Sequence, residues 1–170
     1  MQPTILRKPE ILLVGLPFYG DPFDTSNVWS EENHIGRTWK RLMGYLGQHG
    51  SAIKHRAALD IFYEVHIYGE ETNTQGLFEV FVGVPVERIE SVPVELSVKV
   101  LPATEYAVFT LQGEAIYSDW VMNIDRWLVE AGYERNHPYS VQYYDPRFKG
   151  LDQIADSTLD VCMPVRKATA

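Results

Sequence analysis

Two short stretches set polar groups among aromatic rings in the same order: YEVHIY (residues 63–68) and YSVQYY (residues 139–144). Alternate side chains of a strand share a face, so His66 stands with Tyr68, and Gln142 with Tyr144. A tyrosine offers a large apolar ring and a hydroxyl that needs a partner when buried, which suits the wall of a site for a ligand with both kinds of atom. His66 reads either as a proton shuttle or as an ordinary hydrogen-bonding side chain. Two later runs also echo each other, FEVFVGVPVE (78–87) and LDVCMPVRK (159–167). The same alternation matches Glu79 and Phe81 with Asp160 and Cys162. These residues are expected on the face of His66 and Gln142, where Glu79 and Asp160 would supply negative charge and Phe81 more wall. Trp39 and Trp120, at matching places on two helix-like segments, are candidates either for core packing or for lining the same site.

The familiar catalytic signatures do not occur. The chain contains no G-x-S-x-G elbow, phosphate loop or H-E-x-x-H, and its five histidines lack metal-ligand spacing with cysteine or carboxylate. No cofactor and no metal are implied.

The elements that must position these residues come in a repeated order. ILLVGLPF (11–18) is a bounded apolar run. HIGRTWKRLMGYLGQHG (34–50) then places Ile35, Trp39, Leu42 and Leu46 on one helical face before Gly47 and Gly50. DIFYEVHIY (60–68) and GLFEVFVGVPV (76–86) follow as a hairpin around the turn-forming GEETNTQ. The second half repeats this with a strand in 97–113, a helix in 114–132 carrying Trp120, Ile124, Trp127, Leu128 and Ala131 on one face, and a hairpin of PYSVQYYD and TLDVCMPV. We expect an α+β fold of two pseudo-symmetric βαββ repeats, about 4–90 and 95–167, in a single domain spanning 1–170. The sheet is expected to be largely antiparallel, with helices on one face and a ligand groove between the halves. The more apolar set, Tyr63, Val65 and Ile67 with Tyr139, Val141 and Tyr143, is expected to face the helices. The connection at 18–36, with Phe18, Tyr19, Phe23 and Trp29, reads as a lid or as a loop packed against the sheet.

Composition narrows the class. A net charge of -8 leaves no basic stripe for phosphates, so direct nucleic-acid binding is not expected, and an acidic field favours cations. No segment approaches the ~20 apolar residues of a membrane span. Cys162, the only cysteine, lies in an apolar run and reads as a buried hydrophobe, so a cytoplasmic protein is expected.

At YAVFTLQG, the following tryptophan-containing helix, EAGYE, VQYYD and MPVRK, the chain resembles the GyrI-like family, also known as the effector-binding domain of AraC-type and multidrug-sensing regulators. The resemblance implies repeated βαββ units and a groove that takes up bulky, often aromatic and cationic compounds. It also implies a stand-alone module, because no DNA-binding segment precedes the domain. Many relatives carry a glutamate in the strand corresponding to YSVQYYD, where this chain has Gln142; either Glu79 or Asp160 could supply charge in its place. Some relatives hydrolyse cyclopropane-containing compounds with a pocket glutamate. A glutamine amide is not basic enough for that task, so catalysis here would rest on Glu79, Asp160 or His66. The leading expectation is a non-enzymatic module that senses or sequesters an amphipathic small molecule. The alternatives are a hydrolase, a protein-binding module of the gyrase-inhibitor kind, and a pocket for an endogenous metabolite.

Overall fold

In the computed structural model, which describes residues 2–25 and 32–168, the polypeptide runs β1 (Thr4–Lys8), β2 (Ile11–Gly20), α1 (His34–His49), β3 (Phe62–Tyr68), α2 (Glu70–Gln75) and β4 (Phe78–Val86). It continues as β5 (Ser97–Leu101), β6 (Thr104–Gln112), α3 (Trp120–Ala131), β7 (Tyr133–Arg135), β8 (Tyr139–Tyr144) and β9 (Thr158–Lys167). One sheet takes up all the strands in the order β1-β6-β9-β8-β3-β4-β2-β5, with β7 beside β9, and every pairing is antiparallel. The fold is therefore α+β, as expected. No helix of the described residues is long and apolar enough to cross a membrane.

The run β2-α1-β3-β4 and the run β6-α3-β8-β9 have the same connectivity, and they meet where β3 pairs with β8. Val65 faces Val141 in that pairing, flanked by Glu64 opposite Gln142 and His66 opposite Ser140. A local twofold at the valine pair thus relates Glu64 to Ser140 and His66 to Gln142. The outer strands obey it too, in an exchanged form: β1 pairs with β6 of the second half, and β5 pairs with β2 of the first. Each half is completed by a strand from the other.

Local chemistry sets the helix ends. Asn33 accepts from the Gly36 amide at the start of α1, and Asp119 accepts from the Met122 amide at the start of α3. That second cap is why α3 begins at Trp120 rather than near 114; the preceding residues Gly113–Tyr117 form a 3-10 turn. Gly132 ends α3 at a φ of 65°, in the left-handed region that favours glycine. The expected turn GEETNTQ contains the short helix α2, closed by Gly76 at a φ of 72°.

The face occupied by the helices is the reverse of the expectation. Leu42 of α1 packs with Val14, Leu16, Val80 and Val82, while Ile124 and Leu128 of α3 pack with Phe109, Leu111, Val161 and Met163. The Tyr63, Val65, Tyr139 and Val141 set lies on the other face, clustered with Phe81, Cys162, Leu101 of β5 and Tyr106 of β6. Strands near opposite edges of the sheet meet in that cluster, so the sheet curves and buries this face against itself. The apolar set needs no helix to cover it. The helices lie instead toward the flanks of the His66 and Gln142 face, leaving the central strands β3 and β8 between them.

Candidate functional site

A groove of about 2010 Å³ follows from this arrangement. Its floor is the junction of β3 and β8, and its walls come from α1, α3 and the segment after β8. Six expected residues are brought together here: Trp39, His66, Tyr68, Trp120, Gln142 and Tyr144. Phe62, Phe78 and Phe148 add apolar wall. The volume exceeds the roughly 300–1,000 Å³ of a pocket for one drug-sized ligand.

Three expected residues are elsewhere. Glu79 faces Lys99, with Oε1 at 2.8 Å from Nζ. Phe81 is fully buried in the cluster on the opposite face. Asp160 accepts from Thr110 Oγ1 at 2.7 Å and from Arg147 at 2.6 Å. The cause is register. Phe78 pairs with Tyr68 and Val80 with His66, so residues 78, 80 and 82 share the groove's face and 79 and 81 do not. In the same way Asp160 pairs with Tyr143, not with Tyr144. Neither carboxylate can stand in for residue 142.

The charge comes from Glu64, which the sequence reading passed over. Its side chain is 3% exposed at the centre of the floor. Trp39 Nε1 donates to Oε2 at 2.5 Å, and Gln142 Nε2 donates to Oε1 at 3.1 Å from the paired strand. His66 Nε2 lies 2.6 Å from Oε1. The Tyr144 hydroxyl lies 3.0 Å from Gln142 Oε1 and 3.5 Å from Glu64 Oε2. A phenol has one proton, so the shorter bond to Gln142 takes it. Burial, then the neighbouring Glu64 charge, holds the Tyr144 phenol well above its ordinary pKa, which keeps it a donor. A buried carboxylate is tolerated only when its oxygens are satisfied in this way. The available signal was alternation: Glu64 is two residues before His66 in one strand and must share its face.

Around the carboxylate the rings form a continuous wall. Trp39 meets Tyr144 edge-on at 5.1 Å between centroids, and Tyr144 meets Phe148 at 4.9 Å. At the other end the twofold repeats the motif with different chemistry. Tyr68 bonds Ser140 Oγ at 2.9 Å, as Tyr144 reaches toward Glu64, and Phe78 packs beside both His66 and Tyr68. Burial raises the Tyr68 pKa, so it too stays protonated. Asp60, Asp119 and Asp145 line the groove as well, the last held by Arg147 at 2.8 Å. Of the expected lid, Phe18 and Tyr19 belong to β2 and Phe23 lines the groove, whereas Trp29 lies outside the described residues.

Comparison with known proteins agrees with this fold. The transcriptional regulator BrlR of Pseudomonas aeruginosa is 30% identical over 169 residues, covering 97% of this chain and 56% of the relative. The chain thus spans little more than half the length of that regulator. Among solved structures, SAV2435 bound to tetraphenylphosphonium superposes with a TM-score of 0.69 at 15% identity, covering 98% of this chain and 94% of that one. A hydrolase encoded by lin2189 from Listeria innocua gives a TM-score of 0.58 at 12% identity, covering 97% of this chain and 92% of that one. At such identities the structures speak for the fold alone. The model of the GyrI-like small molecule binding domain matches residues 1–166, and to that family the chain belongs.

Proposed function

We propose that the groove binds an amphipathic cation bearing aromatic groups, and that the chain is one domain that senses or sequesters such compounds. The observation that carries this reading is the buried Glu64 carboxylate on a floor walled by Trp39, Tyr144 and Phe148. A permanent cation loses little hydration on entering, the ring faces attract it, and Glu64 supplies the opposite charge where water cannot screen it. The net charge of -8 raises the local concentration of cations around the molecule. The binding of tetraphenylphosphonium by the similar SAV2435 fold supports the same chemistry.

The test is a titration followed by tryptophan fluorescence, since Trp39 bonds Glu64 directly. Tetraphenylphosphonium should quench saturably, and the neutral triphenylphosphine oxide should bind at least tenfold more weakly. Equal affinities would remove Glu64 from the recognition and with it the cation reading.

A second reading is favoured by one contact. Glu64 beside His66 is a carboxylate with an imidazole at 2.6 Å, a general-base arrangement that Gln142 alone could not provide. If the site hydrolyses a strained ring, Glu64 takes a proton from water as the hydroxyl adds to one ring carbon, the ring C–C bond breaks, and Glu64 returns that proton to the carbon released. Mass spectrometry of a cyclopropane-bearing compound would then show addition of water, abolished in Glu64→Gln; unchanged compound leaves the site a binder.

A further inference from the structure

Among the described residues, His66 is the one group touching the Glu64 carboxylate that can carry a positive charge, because Trp39, Gln142 and Tyr144 are neutral. The other charged groups lining the groove are engaged or exposed. The Arg135 guanidinium is held by Asp125 at 2.6 Å, His137 stacks on the Tyr139 ring, and Lys40 stands at an exposed position on α1. Around His66 itself, β4 contributes the Phe78 ring, β8 contributes Ser140 already bonded to Tyr68, and Glu64 is the carboxylate in contact. The His66 side chain is 11% exposed.

We propose that His66 is the groove's internal counter-cation: protonated against Glu64 when the groove is empty, it gives up that proton when a cationic ligand takes its place. This rests on the cation reading of the site and names what the ligand competes with. A carboxylate only accepts, so Nε2 keeps its hydrogen in both states and the exchanging proton is on Nδ1. A ligand cation beside Glu64 meets a like charge on the imidazolium, which favours the neutral ring. One positive charge enters and one proton leaves to solvent, so the charge of the site is unchanged. A neutral ligand has no such effect. By linkage, cation affinity falls with falling pH while neutral affinity does not, and selectivity for cations widens as pH rises.

Calorimetry with tetraphenylphosphonium, in buffers of different ionisation enthalpy between about pH 5.5 and 8, reads the exchange directly. Proton release should approach one per cation at the acid end, with apparent affinity falling about tenfold per pH unit there. Triphenylphosphine oxide should release none. His66→Gln, which can still donate to Glu64, should bind the cation with pH-independent affinity and no release. Binding of the cation without release anywhere in the range overturns the proposal. So does release that persists in His66→Gln, because the proton then sits elsewhere. If that variant does not fold, the His66 ring resonances of the wild type must move to the neutral position on cation addition, and their failure to do so overturns it equally. Failure of tetraphenylphosphonium to bind at all instead rejects the cation reading, and this inference with it.

Discussion

Replacing Glu64 by glutamine removes the charge and keeps the shape, which makes it the sharpest probe of the groove. A cation resting against the Trp39 and Tyr144 rings lies about 5–6 Å from the carboxylate, and at an effective dielectric near 20 the attraction is about 3 kcal/mol. Its loss corresponds to about a hundredfold weaker binding of tetraphenylphosphonium near pH 8. Triphenylphosphine oxide, which makes the same ring contacts, should change by less than about threefold. The variant also carries a stability cost that the geometry defines. Oε2 of Glu64 receives the Trp39 N–H and Oε1 receives Gln142 and His66, so an amide must turn its NH₂ toward one of these donors. One buried hydrogen bond is lost, about 1–2 kcal/mol, or a few degrees of melting temperature at this size. Paired titrations of both ligands against both proteins, with calorimetric melts, provide the measurement. Equal losses for cation and oxide, or a cation affinity that does not move, would refute the electrostatic reasoning.

Gln142→Glu should lower the melting temperature, because residue 142 is 1% exposed with its amide 3.1 Å from Glu64 and a second carboxyl there can ionise only with difficulty. The new group's folded pKa is raised, so its penalty is absent below the ordinary carboxylate pKa of about 4.3 and grows as pH rises; a pH-independent deficit in melts would contradict this. Phe81→Ala should destabilise by about 3–5 kcal/mol without altering the ligand affinity of the folded fraction, as should Glu79→Ala with little loss of stability; weakened binding in either would mean the opposite face communicates with the groove. The Cys162 thiol, pushed up to about 11 chiefly by burial, should resist thiol reagents near pH 8 until the protein unfolds, and rapid labelling of the native state would reveal local opening around β9.

What sequence alone could decide here was local. The apolar spacing of Leu42 in α1 and of Ile124 and Leu128 in α3 placed their buried faces, and the echo of YEVHIY in YSVQYY brought His66, Tyr68, Gln142 and Tyr144 onto one surface. Alternation operates inside a strand and needs no neighbour. Three things depended on residues far apart in the chain. The phase of β4 and β9 against β3 and β8 put Glu79, Phe81 and Asp160 on the other side, because a shift of one residue in register exchanges every face and register is set by pairing. The exchange of β1 and β5 between the halves, and the curvature that closes the Tyr63 and Val65 face without a helix, came from contacts between strands distant in sequence. Glu64 itself carries no local signal beyond its alternation with His66. It becomes the centre of the site only when α1 lays Trp39 across it and β8 sets Gln142 opposite, since only the assembled tertiary structure excludes water from that charge and supplies the donors that hold it.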